Sequence, residues 1–115
     1  NKDLEINNNA LFDFIYIDDV IKTTLGILNK KLKNFDYNLS TGNGYELYKI
    51  AKKVIELNGN KNLKIKMASR KIMVNYVGNN NRIKKDKLLC NLTPMETSIK
   101  NILEHLKTIK NKIIL

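Results

Sequence analysis

The chain has 115 residues, 43% of them hydrophobic, a formal net charge of +10 and a single cysteine. Such a chain forms one domain that buries roughly two thirds of its unfolded surface. No apolar run approaches the ~18 residues of a membrane span, which excludes a transmembrane helix. Lone Cys90 excludes an internal disulfide and points to a reducing compartment, the cytoplasm.

A charge of +10 raises nucleic-acid or anionic-membrane binding. The lysines, however, are scattered along helices, and lysine, asparagine and isoleucine are abundant together, as an AT-rich genome imposes. Aromatics make up only 7% and do not interleave with arginines as a stacking platform. Generic basicity is therefore the preferred reading. A free-standing basic α/β module that binds nucleic acid is the competing one. The sequence opens Asn1-Lys2-Asp3 without a methionine or a signal peptide, so it is expected to be a piece cut from a longer polypeptide.

Residues Asn1 to Ala10 are polar and Asn-rich and read as a loop. Phe12 to Ile17, aromatic and β-branched, predicts a strand. Asp18-Asp19 offers an N-cap to a helix whose apolar positions are Val20, Ile21, Leu25 and Leu28, with Thr24 on the same stripe. Its lysine-rich end, Asn29-Lys30-Lys31-Leu32-Lys33, suits the negative pole of the dipole. A strand follows over Tyr37 to Ser40, then a glycine turn. A second helix then turns Leu47, Ile50, Ala51, Val54 and Ile55 to one side, stopped by Gly59.

Leu63 to Met67 alternates apolar and charged residues and predicts a half-buried strand. Asn75 to Gly78 reads as a short extended piece, and Asn79 to Leu89 as a short helix or turn. Thr93-Pro94-Met95-Glu96 spells a capping box with proline at the first helical position. Behind it Ile99, Ile102, Leu103, Leu106, Ile109 and Ile113 recur at helical spacing. Strands alternating with helices indicate an α/β domain with partly parallel pairing.

Gly42-x-Gly44 between strand and helix has the look of a dinucleotide-binding turn. It lacks the third glycine, since Leu47 stands there, and the strand that follows ends in Met67-Ala68-Ser69-Arg70 without a ribose-holding acid. A plain tight turn fits better. Tyr45-x-x-x-Lys49 and Tyr48-x-x-x-Lys52 match the catalytic pair of short-chain dehydrogenases, yet such a pair must border a cofactor. Tyr48 is expected to pack beside the buried face and Tyr45 to sit in the first helical turn. No catalytic residue, cofactor-binding residue or metal ligand is assigned. Cys90 and His105 each lack partners in sequence.

Asp13-Phe14-Ile15-Tyr16-Ile17-Asp18-Asp19-Val20 closely resembles the Arg-Asp-Phe-Ile-Tyr-Val-Asp-Asp-Val segment of the extended short-chain dehydrogenase/reductase family, the NAD-dependent nucleotide-sugar epimerases and dehydratases. Tyr37-Asn38-Leu39-Ser40-Thr41-Gly42-Asn43-Gly44 is similar to that family's Tyr-Asn-Ile-Gly-Ser-Gly-x-Gly turn. Tyr76-Val77-Gly78-Asn79-Asn80-Asn81-Arg82-Ile83 resembles its Tyr-x-Ala-Asp-x-Ser-Lys-Leu. Pro94 and the final helix are similar to its proline and closing helix. The four segments follow in the family's order across residues 12 to 110.

The resemblance implies a fold and a division of labour. The chain is expected to be the small C-terminal substrate-binding domain, α/β with short strands alternating with helices and a closing C-terminal helix. An N-terminal Rossmann domain carrying NAD or NADP and the catalytic Tyr-x-x-x-Lys is expected elsewhere in the parent enzyme, so this chain binds no cofactor and is inactive alone. The partner is a nucleotide sugar, whose diphosphate the resemblance assigns to Asn38 and Arg70, and a guanidinium fork suits a phosphate. Phe12 departs from the family pattern where an arginine is common, as do Lys71-Ile72-Met73 in place of Pro-Gly-Asp, and a Gly-Trp is missing near Cys90-Asn91. An isolated half-enzyme exposes the face its partner domain covered, so self-association is expected at the first helix.

Overall fold

The computed structural model describes residues 3–60 and 62–113, with the backbone alone for Lys112 and Ile113. Its strands are β1 (Leu4–Ile6), β2 (Asn9–Phe12), β3 (Tyr45–Glu46), β4 (Ile65–Met67) and β5 (Ile72–Tyr76). Its helices are α1 (Ile17–Ile27), α2 (Leu47–Asn58), α3 (Asn81–Lys85) and α4 (Met95–Ile113). The fold is the expected one: small, mixed α/β, and closed by a long C-terminal helix.

Two small sheets form its floor. β1 pairs in parallel with β4, Leu4 opposite Ile65. β2 is the centre of the other, antiparallel to β3 and parallel to β5, in the order β3-β2-β5. Helix α2 lies on β2 and also touches β1, β4 and α4, so it joins the layers. The reason is in its sequence: Ala51 is buried and Leu47, Ile50, Val54 and Ile55 are half-buried at helical spacing, while Lys49, Lys52 and Glu56 face water. Gly59 ends it at φ 72°, its N–H donating to the Glu56 carbonyl.

Several sequence expectations are corrected. Leu4–Ile6 is a strand and Asn9 and Ala10 begin another, although Asn1 to Ala10 read as loop (Asn1 and Lys2 lie outside the described residues). Asn9 is completely buried because its amide is fully employed. Nδ2 donates to Glu46 Oε1 and to the Arg70 carbonyl, both at 2.8 Å, and Oδ1 accepts from the Tyr48 N–H. Phe12–Ile17 is a strand only at Phe12; residues 13–16 belong to no strand, and Ile17 already begins α1. Tyr37–Ser40 forms no strand either, and Tyr45 belongs to β3 rather than to the first turn of α2.

The predicted caps change hands. Tyr16 holds the N-cap position of α1 without a side-chain cap, and Asp18 and Asp19 lie in its first turn, where their charge complements the dipole. The capping box at Thr93 does not close, since Glu96 pairs with Lys53 and Lys100.

The molecule is a slab, 51 × 42 × 18 Å, with a radius of gyration of 17.2 Å where about 13 Å is usual for this length. The thinness reflects an α2 that lies on β2 while few apolar side chains are buried beneath it. Among the described residues the buried apolar side chains are only Ala10, Ala51, Ile83, Leu88 and Ile99.

Candidate functional site

Four stretches of chain meet around two carboxylates. The first is Asp13, placed just beyond β2 by the Asp13 N–H bond to the Tyr76 carbonyl at the end of β5. Its Oδ1 accepts from the Thr41 N–H at 2.9 Å and from the Thr41 hydroxyl. Its Oδ2 accepts from the N–H groups of Gly42 at 2.8 Å and Gly78 at 3.2 Å. Burial pushes the Asp13 carboxyl up, but the Thr41 hydroxyl and the three backbone N–H groups outweigh it, and the carboxyl sits below its ordinary 3.8.

This explains the glycine turn. Gly42 sits at φ 74°, a conformation side chains rarely adopt, and a Cβ there would come within 2.8 Å of Asn80 Oδ1. Asn80 is itself buried and donates to the Ser40 carbonyl at 2.9 Å. Gly78 likewise passes close to Ser40, whose Cβ lies 2.5 Å from where its own would stand. The N–H groups of Thr41 and Gly42 face Asp13, and that of Asn43 donates to the Thr41 hydroxyl at 3.1 Å. A phosphate cradle needs such donors free. Here an internal carboxylate occupies them, and β3 intervenes between the turn and α2.

The second carboxylate is Asp19, 1% exposed. It accepts from the Thr93 N–H and from the Thr93 hydroxyl, each at 2.7 Å. One turn on, buried Thr23 accepts from the Cys90 N–H at 3.2 Å, and Cys90 Sγ donates to the Asp19 carbonyl. So Asp13 binds the first resemblance segment to the second and third, and Asp19 binds it to Thr93, immediately before the fourth. The Cys90 thiol is half-buried in this seam; His105 is exposed on α4. Among the described residues no group of three or more potential ligands is placed to hold a metal ion.

The two candidate ligand residues occupy different places. Asn38 is exposed and donates through Nδ2 to the Asn79 carbonyl at 3.2 Å. It lines a polar cavity of about 320 Å³ together with Asp36, Asn79, Asn81 and Arg82. Arg82 there is held by Asp36, Nη1 to Oδ1 at 2.7 Å. Arg70 is not among the residues lining that cavity. Its guanidinium lies over the Tyr48 ring, 4.3 Å from the centroid, and Nη2 donates to the Tyr48 hydroxyl at 2.8 Å. Asn9 fixes its backbone from beneath. Glu46 is nearby, its carboxyl held below the ordinary range chiefly by the Asn9 amide, against burial, with Lys49 and Arg70 adding to the effect.

Sequence reading missed Arg82, Asp36 and Asn79 as neighbours of Asn38. The only available signal was the basic residue at position 82 within the third resemblance segment. The Tyr48 hydroxyl, half of a Tyr-x-x-x-Lys pair, faces Arg70, while Lys49 of the overlapping pair joins Glu46 at 3.3 Å.

No protein-family model matches the chain, and no curated protein does. Among solved structures, RMD from Pseudomonas aeruginosa complexed with NADPH superposes with a TM-score of 0.73 at 18% identity, over 90% of this chain and 35% of that one. The Bordetella bronchiseptica enzyme WbmH in complex with NAD+ superposes with a TM-score of 0.67 at 16% identity, over 86% of this chain and 33% of that one. This chain thus spans about a third of the length of either neighbour. Among the described residues no helix is long and apolar enough to cross a membrane. What the two likenesses show is the fold: this chain is built like one third of two proteins solved with a nicotinamide dinucleotide bound.

Proposed function

We propose that this chain is the nucleotide-sugar-binding part of an NAD(P)-dependent epimerase or dehydratase of the extended short-chain dehydrogenase type, inactive alone. One observation carries the reading: three of the segments that resemble that family meet at Asp13, and Asp19 ties the first of them to Thr93, the residue that leads into the fourth. Segments matching by accident in a lysine- and asparagine-rich chain have no reason to converge on two carboxylates. The likeness of the fold to a third of RMD and of WbmH supports the same conclusion.

On this reading the nicotinamide, bound elsewhere in the enzyme, supplies reversible hydride transfer at the sugar. The residues of this chain hold the diphosphate and orient the sugar. Arg70 suits the first task. Tyr48 lies under its plane and engages one Nη, which fixes the fork and leaves its other N–H groups for phosphate oxygens. Asn38 keeps a second amide N–H beyond the one given to Asn79.

The test is titration of the polypeptide encoded by the complete reading frame with nucleoside diphosphates and nucleotide sugars. Arg70→Ala is expected to weaken binding roughly 10- to 100-fold, as loss of a charge-assisted contact does, and Asn38→Ala roughly 3- to 10-fold. Binding unchanged in both variants removes them from the site. This chain alone is expected to show no NAD affinity; a measurable one overturns the reading of the Gly42 turn. Tight binding of duplex or single-stranded nucleic acid with a steep salt slope would instead make it a basic binding module.

A further inference from the structure

Lysines that look scattered in the sequence are gathered at one corner of the fold. Residues 30–36 form the loop that leaves α1, and residues 81–87 are α3 and the turn behind it. Asn34 and Asp86 are 52 positions apart, yet they meet. Asp86 is half-buried and accepts from the Tyr37 hydroxyl at 2.6 Å and from Asn34 Nδ2 at 3.0 Å. Arg82 adds a second tie, donating to the Asp36 carbonyl at 3.1 Å and to its carboxylate at 2.7 Å. The Tyr37 hydroxyl chiefly, then Asn34, hold the Asp86 carboxyl below its ordinary 3.8 against burial. The charges of Lys33 and Lys85 reach it from the two segments and add to the effect.

Both carboxylates of this corner are thus engaged, and its surface is basic. Lys30, Lys31 and Lys33 from the loop and Lys84, Lys85 and Lys87 from the other segment are all exposed. The two segments hold seven basic and two acidic side chains, a net +5 of the chain's +10. Among the described residues none of the six lysines forms an ion pair, whereas Lys49, Lys53, Lys66 and Lys100 do. Nor does any of the six line the Asn38 cavity. Their charge is uncommitted.

Among the loop lysines stand two apolar side chains. Leu32 is 42% exposed, and Phe35, at 111%, stands wholly in solvent. An apolar tip ringed by lysines matches a surface where hydrocarbon lies beneath phosphate. The tip enters the hydrocarbon while the long lysine side chains bend their amines back to the headgroups. Nucleic acid fits less well, because leucine cannot stack on a base and one phenylalanine is no stacking platform.

We infer that this corner, Leu32 and Phe35 within their ring of lysines, is a docking surface for an anionic lipid bilayer, on which the protein rests. Such a surface needs neither cofactor nor nucleotide sugar, so it stands apart from the proposed function.

The test is co-sedimentation of the polypeptide encoded by the complete reading frame with lipid vesicles. Phosphatidylcholine vesicles are compared with vesicles holding about 30% phosphatidylserine, at about 0.15 M salt. Binding is expected to be at least about tenfold stronger on the anionic vesicles. Lys30→Gln, Lys31→Gln and Lys33→Gln together are expected to weaken it about 30- to 100-fold, near fivefold for each lysine. Phe35→Ser is expected to weaken it about tenfold. Lys52→Gln, Lys107→Gln and Lys110→Gln together remove the same charge from exposed positions on α2 and α4 and are expected to cost under about threefold. Every substituted side chain is exposed, so the variants are expected to melt like the parent. Equal losses in the two triple variants overturn the inference and leave only generic basicity. No preference for anionic vesicles overturns it, as does binding that Phe35→Ser leaves unchanged. Single-stranded nucleic acid bound through Lys30, Lys31 and Lys33 without vesicle binding overturns it too and assigns the corner to nucleic acid. Nucleotide-sugar affinity is read separately: its absence removes the enzymatic reading, while vesicle binding lost in the loop variants still upholds the bilayer surface.

Discussion

Asp13→Ala is expected to destabilise this chain by about 3 kcal/mol. Removing the carboxylate leaves four donors without an acceptor: the N–H groups of Thr41, Gly42 and Gly78 and the Thr41 hydroxyl. An unsatisfied buried donor costs about 1–3 kcal/mol, and the half-exposure of Asp13 lets water repair part of the loss. With so few buried apolar residues the chain has little in reserve, and the melting temperature is expected to fall by roughly 10–20 °C. A fall under ~3 °C would mean that the turn and the third segment hold together without Asp13.

The same carboxylate makes stability depend on acid. Its folded pKa lies below the unfolded value near 3.8, so its contribution is complete above that value and disappears as pH falls through the folded one. Asp3, Glu46, Asp86 and Glu96 are also lowered and act in the same direction, so the wild-type curve alone does not isolate Asp13. The difference between wild type and Asp13→Asn does. It is expected to be largest at neutral pH and to shrink below about pH 4, and a difference constant from neutral pH to pH 3 contradicts the assignment.

Asp19→Ala is the second large effect, also about 3 kcal/mol, because an almost wholly buried carboxylate with two 2.7 Å partners leaves both donors and a void behind. Its consequence is directional. Thr93 immediately precedes Pro94 and α4, so amide exchange is expected to accelerate in the first turns of α4 and in α1. The α2–β2 amides, which do not depend on this contact, keep their protection. Asp19→Asn is the control. Its carbonyl oxygen still accepts the Thr93 N–H, and the Thr93 hydroxyl reverses to accept from the new amide, so the loss stays under ~1 kcal/mol. Uniform acceleration in Asp19→Ala would show a global rather than a local role.

Helices α2 and α4 were legible because their information is local. The apolar repeats of Leu47 to Ile55 and Ile99 to Ile109, and Gly59 and Pro94 as punctuation, lie within each helix or next to it. β4 was legible from its alternation for the same reason. Strands β1 and β2 were not, because Asn9 looks like a loop residue until Glu46, Arg70 and Tyr48 arrive to satisfy it from 37 to 61 positions away. The α1 repeat was visible, but periodicity states that a helix has an apolar side, not that the core lies there.

By itself, then, the sequence determined the kind and order of most elements, the tight turn at Gly42, and Asn38 and Arg70 as candidate ligand residues. Only the tertiary structure decided that Asp13 gathers Thr41, Gly42 and Gly78, that Asn38 shares a cavity with Arg82, and that α1 turns its polar face inward. The physical reason is distance along the chain. A helical repeat is settled within a few residues, whereas the acceptors and donors that make a buried Asp or Asn tolerable here lie 28 to 74 residues apart.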